Sequence, residues 1–150
     1  MTSRPPGALL LDVWVAGELV AALLDHNLEA VGVDPYAWGT LSVIGAHGPI
    51  TPSELAEQTG RPPTTVSHVV GRLIERRDVE RVPHPSDGRS YLLRVTKRGE
   101  QRWRKGWTAL DATIGEVSSR LRLPVEDVHE SVWELIEALR EASRELSTKP

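Results

Sequence analysis

Thr51-Pro52-Ser53-Glu54, then Gly60, then Pro62-Pro63-Thr64-Thr65-Val66-Ser67-His68-Val69-Val70-Gly71-Arg72 is the stretch that decides the fold. Thr51 followed three residues later by Glu54 is a capping box, with proline at the first helical position. Gly60 is a helix stop. Pro62-Pro63 starts a second helix that runs on to Arg77. A short capped helix, a tight glycine turn and a second helix make a helix-turn-helix.

Reading outward, the period changes after Arg77. Val79–Pro83 and Ser90–Thr96 are rich in β-formers, and His84-Pro85-Ser86-Asp87-Gly88-Arg89 between them is rich in turn residues. This pattern predicts a β-hairpin with a long tip, a wing beside the helix-turn-helix. Upstream, Asp34-Pro35 starts a helix that ends at His47-Gly48. Leu9 to Glu29 repeats Leu and Val at helical spacing. Downstream, Thr96 can cap a long helix through Trp103, Trp107, Leu110, Ile114 and Val117. Pro124 breaks it, and a last helix carries Val128, Val132, Leu135, Ile136 and Leu139. The fold class expected is mainly α with a small β-hairpin wing. The outer helices carry more apolar surface than one small domain can cover, so a symmetric homodimer is the simplest way to bury them.

On a helical wheel from Arg61 to Arg77, Val66, Val69, Val70, Leu73 and Ile74 share one arc, which packs on the core. Thr64, Thr65, His68, Gly71, Arg72 and Glu75 fall opposite, with Ser67 at the edge. Short hydroxyls near a helix start suit phosphate oxygens and base edges. Arg72 can pair bidentately with guanine or with phosphate. At the hairpin tip Gly88 permits a tight turn that lifts Arg89, and a narrow minor groove favours arginine. Asp87 would be repelled by a polyanion, so its expected task is an ion pair that orients Arg72 or Arg89.

The charge distribution agrees. The net charge is −3, but it is unevenly spread. Residues 1–60 carry one arginine against seven acids, net −6; residues 61–105 carry twelve Lys and Arg against five acids, net +7; residues 106–150 net −4. A basic middle is the footprint of a polyanionic partner. The strand after the tip leads away from it by about 3.3 Å per residue. Lys97, Arg98, Arg102, Arg104 and Lys105 therefore lie behind the reading head and are expected to pair with the acidic ends. The chain has no cysteine, which excludes disulfides and thiolate metal sites and fits a cytoplasmic protein. Met1–Pro6 lack a signal peptide's apolar core, and no stretch reads as a membrane helix.

Leu55-Ala56-Glu57-Gln58-Thr59-Gly60, Thr64-Thr65-Val66-Ser67, Leu73-Ile74-Glu75-Arg76-Arg77-Asp78-Val79-Glu80-Arg81, Asp87-Gly88-Arg89-Ser90 and Val95-Thr96-Lys97-Arg98-Gly99 resemble the multiple-antibiotic-resistance regulator (MarR) family. The likeness is close over residues 35–100 and one of layout beyond them. It implies a homodimeric regulator of transcription with three parts. Residues 1–33 would be an N-terminal dimerisation helix, 34–99 the winged helix-turn-helix DNA-binding domain, and 100–150 the C-terminal dimerisation helices. The regulator, a repressor in most of the family, would bind a pseudo-palindromic operator in double-stranded DNA and be released by a small, often aromatic, ligand. Thr64, Thr65, Ser67, His68 and Arg72 match positions that read DNA, with Arg61 at the head of the segment. Arg89 matches the wing arginine and Asp87 its partner acid. His68 and Gly71 depart from the residues the family often carries. Asp78 replaces a frequent glycine, which costs little if it adopts a left-handed conformation.

Trp14, Trp38, Trp103 and Trp107 lie on segments expected to meet where the outer helices join the winged unit, at a candidate pocket for an aromatic effector. Tryptophans filling a core that lacks Phe are the plainer reading. The five histidines show no ligand spacing, and no nucleophile–base motif or phosphate loop occurs, so neither a metal, a cofactor nor an enzyme is expected. The alternative function is a winged-helix module that binds another protein and has no operator of its own.

Overall fold

A computed structural model describes residues 5 and 7–148. The stretch read for a signal peptide, Met1–Pro6, falls outside them except for Pro5. The order is α1 (Ala8–Glu29), α2 (Pro35–His47), α3 (Pro52–Thr59), α4 (Pro63–Glu75), β1 (Val79–Pro83), β2 (Tyr91–Val95), α5 (Lys97–Ser119) and α6 (Val125–Thr148). The expected mainly helical fold with a small hairpin is what forms. Among the described residues no helix is long and apolar enough to cross a membrane.

The local signals act as their chemistry dictates. Asp34 accepts the Ala37 N–H at 3.0 Å. The capping box closes in both directions, Glu54 N–H to Thr51 Oγ1 at 3.2 Å and Thr51 N–H to Glu54 Oε2 at 2.8 Å. The Thr51 hydroxyl also donates to Glu54 Oε2 at 2.7 Å; that bond first, and the Thr51 N–H second, hold the Glu54 carboxyl below the usual carboxylate range. Gly60 ends α3 at φ 62°. Thr96 caps α5 through the Gly99 N–H.

β1 and β2 pair antiparallel from Val79↔Val95 to Pro83↔Tyr91. A bridge that the sequence did not announce joins Ile50 to Leu93, with backbone hydrogen bonds of 3.1 and 2.8 Å. It ties the wing to the loop between α2 and α3. The main core collects Leu41, Ile44, Ile50, Leu55, Val66, Val69, Val70, Leu73, Val79 and Leu93 from all these elements. A second, smaller cluster of Leu28, Val33, Trp38 and Leu110 joins α1 and α5 to it.

Two expectations are corrected at the α4–β1 junction. The helix stops at Glu75, not Arg77, and the left-handed residue is Arg77 (φ 60°), not Asp78. Asp78 N–H reaches back to the Leu73 carbonyl at 2.9 Å, and Arg77 N–H to that of Ile74 at 2.9 Å. This is the Schellman pattern, which puts the positive φ on the earlier residue. Asp78 itself is fully buried. Its carboxylate faces Arg102 Nε at 2.9 Å and Arg98 Nε at 3.6 Å. Neither contact is aligned as a hydrogen bond, so the cluster is held by charge. The expectation that Arg98 and Arg102 pair with the acidic ends is thus corrected: their partner is an acid of the basic middle, brought to them because Thr96 N–H bonds the Asp78 carbonyl at 3.0 Å. Gly99 completes the junction, since a Cβ there would overlap that same carbonyl.

Candidate nucleic-acid interface

α4 divides as its wheel predicts. Val66, Val69, Val70 and Leu73 are buried, while Thr64, Thr65, Ser67, His68 and Glu75 are exposed. Ile74 and Arg72 are half-buried. Burial of the four apolar residues, at about 1.5–3 kcal/mol each, fixes the helix and leaves its outer face to solvent. Thr64, Thr65, His68 and Arg72 line a shallow depression together with Val69 and Tyr36. Thr64 and Thr65 fall in the first turn of α4, where unpaired backbone N–H groups and the helix dipole favour anionic oxygens.

The N-terminal turn of α2 lies against this face. Arg72 Nη1 sits 3.2 Å from Asp34 Oδ2, while Asp34 Oδ1 keeps the helix cap. The Arg61 guanidinium stacks 3.9 Å above the centre of the Tyr36 ring. Asp34 was read from sequence only as a helix start and Tyr36 was not singled out. An N-cap aspartate has a second oxygen to spare, but only the folded chain shows that residue 72 uses it.

At the wing tip Asp87 is not the partner of Arg72, which Asp34 holds. The Asp87 carboxylate instead accepts the backbone N–H of Arg89 at 3.0 Å, and its carbonyl accepts that of Ser90 at 3.0 Å. These bonds fix the turn and leave the Arg89 side chain exposed. Lower on the wing Arg94 pairs with Glu80 at 2.8 Å and Arg81 lies over the Tyr91 ring at 4.7 Å. Lys97, Arg104 and Lys105 are exposed.

Three of the four candidate pocket tryptophans come together. Trp38 and Trp107 meet edge to face at 5.1 Å, and Trp103 and Trp107 at 6.1 Å. Trp38 Nε1 donates to the Trp103 carbonyl and Trp103 Nε1 to Ser42 Oγ, each at 3.0 Å. Gly106 lets α5 come this close, because a Cβ there would strike the Trp38 ring. Trp14 stays apart at 63% exposure. The cluster is mostly packing; of the four, only Trp103 lines the neighbouring cavity of about 510 Å³, beside Leu41, Ile44, Arg94 and Arg104.

Residues 31–90 match the profile of the MarR family. An HTH-type transcriptional regulator of Mycobacterium tuberculosis is 28% identical over 103 residues, covering 69% of this chain and 72% of that protein. Among solved structures, RV1404 of M. tuberculosis superposes with a TM-score of 0.72 at 24% identity, over 89% of this chain and 95% of that one. A mutant MarR of E. coli complexed with operator DNA superposes at 0.67 with 19% identity, over 91% and 99%. Its motifs, its hairpin wing and these likenesses agree: the chain has the fold of the MarR structures, and its residues 31–90 are similar to the MarR family of transcriptional regulators.

Proposed function

We propose that two copies of this chain form a homodimer that reads a pseudo-palindromic operator and represses transcription from it. The observation that carries this reading is the outer face of α4: short polar side chains and Arg72 on a helix anchored from behind by Val66, Val69, Val70 and Leu73. Residues 34–99 would be the DNA-binding domain. Thr64, Thr65, Ser67, His68 and Arg72 would enter the major groove, with Arg61 at its edge. Arg89 would reach the minor groove from a turn that Asp87 fixes. The operator complex of the E. coli mutant MarR supports DNA as the partner.

Residues 1–33 and 100–150 would build the dimer. Leu9, Leu10, Leu11, Trp14, Leu19 and Val20 of α1 stand exposed, as do Val132 and Trp133 of α6. Large apolar side chains exposed in this number are the mark of an interface. A small aromatic effector would sit in the cavity beside Trp103, between α2, the base of the wing and α5, where it would press on the joint between the winged module and the outer helices. The cytoplasm is the compartment this function requires.

Selection of bound duplex from a random pool tests the reading. A palindromic consensus, bound by a dimer with a steep salt dependence, is the expected result. Arg89→Ala weakens binding and Lys97→Ala does not; equal losses overturn the assignment of faces. No retained duplex, with capture of a protein partner that survives high salt, replaces this function with a protein-binding module. Unchanged operator affinity across an aromatic library removes the effector from the scheme.

A further inference from the structure

Arg72 is the long cation on the reading face of α4, and its freedom has been removed. Its Nη1 lies 3.2 Å from Asp34 Oδ2. Its Nε is buried with no hydrogen-bond partner. The side chain nevertheless keeps 39% of its surface open, toward the depression it shares with Thr64, Thr65 and His68. Arg61, at the other end of that face, is restrained in a similar way by the Tyr36 ring at 3.9 Å. Both restraints come from one place, the first turn of α2. That turn is itself rigid, because Asp34 caps it and Pro35 follows.

The physical consequence concerns discrimination more than affinity. A free arginine near DNA turns to the nearest phosphate, a contact that carries no sequence information. One held by a carboxylate presents its planar fork at a fixed angle, as bidentate pairing with a base edge demands. The pair is also close to neutral, which lowers its pull on the phosphate backbone.

We propose that the first turn of α2 is a positioning element for base readout: Asp34 sets the angle of Arg72 and Tyr36 that of Arg61, although neither Asp34 nor Tyr36 belongs to the recognition helix. This rests on the DNA-reading function proposed above and assigns to that site a source of specificity outside α4.

Asp34→Asn tests it cleanly, since asparagine is as good an N-cap as aspartate but cannot hold the guanidinium by charge. The measurement is binding of wild type and variant to the selected duplex and to a scrambled one, across a salt series. The preference for the selected duplex falls about tenfold, scrambled-duplex affinity rises, and the salt slope steepens by about one unit as Arg72 turns to phosphate. In an Arg72→Ala background the same substitution leaves the preference unchanged, because Asp34 acts only through Arg72. Tyr36→Leu lowers the preference and Tyr36→Phe, which keeps the ring face, restores it. An unaltered preference in Asp34→Asn, or a loss that persists without Arg72, overturns the proposal while leaving operator binding intact. Failure of wild type to select any duplex overturns both. If Asp34→Asn loses its thermal transition, Asp34→Ser, a second competent cap, takes its place in the same measurements.

Discussion

The winged module and the outer helices are built from similar apolar residues, yet they treat them in opposite ways. In the module, Leu41, Ile44, Leu55, Leu73 and Leu93 are each at most 1% exposed. In α1 only Leu28 is buried, at the end that meets the second cluster. None of the described side chains of α6 is buried. Leu19 of α1 is 62% exposed where Leu73 of α4 is wholly covered. The module closes its core within one chain, because α2, α3, α4 and the hairpin all contribute to one buried cluster. A long helix has nothing of its own to fold back on, and its stripe waits for another surface. The chain thus separates a winged module that closes its own core from outer helices that a second copy would cover.

The sharpest way to break this comparison is to make the same cut in both regions. Leu73→Ala should destabilise the module by about 2–5 kcal/mol, read as a lower urea midpoint at every protein concentration. Leu19→Ala should change the dilute protein by less than about 0.5 kcal/mol. It should weaken association instead, so that its loss of Tm grows with protein concentration. Equal, concentration-independent losses would mean that α1 is covered within its own chain.

Next in size is the junction between the regions. Arg102→Met should cost about 3 kcal/mol, because the buried Asp78 carboxylate keeps only the more distant and exposed Arg98. Urea unfolding checks it; a neutral result would make the Asp78 cluster incidental to the way α5 is seated. Arg77→Gly should raise stability by about 1 kcal/mol by relieving a left-handed arginine, measured in the same way. The smallest effect belongs to the α3 cap. The folded Glu54 carboxyl lies below its ordinary range, so its contribution is present above the unfolded pKa and is lost as the pH falls through the folded one. Glu54→Gln should therefore flatten the acid limb of the stability curve, with a small loss at neutral pH that disappears in acid.

Much of the module was legible because its punctuation is local. A capping box, Pro35, Pro52, Gly60 and the Thr96 cap each act within four residues, and each element starts where they place it. The hairpin followed from a change of period. The misreadings share another character. Asp78 looked like a turn residue because its position in sequence is a helix end, and only the arrival of Arg102, a helix later, explains a buried carboxylate. Asp87 looked like a partner for Arg72, but residue 72 meets residue 34. Trp14 shares the composition of the tryptophan cluster but not its place, since the part of α1 that meets Trp38 and Leu110 is the far end, at Leu28.

What the sequence determined by itself was therefore the list of elements, where the capped helices start, and which face of α4 is dry. Those depend on backbone hydrogen bonds and side-chain period, both short-range. What only the tertiary structure decided was the partner of each charge: Asp34 for Arg72, Asp78 for Arg98 and Arg102, the Arg89 backbone for Asp87. Ion pairs have no periodicity to read, and a carboxylate selects whichever guanidinium the packing of apolar residues delivers to it. The outer face of α4 is written in its own sequence; the partner that holds Arg72 on it comes from the start of α2, through a contact that crosses nearly forty positions of chain.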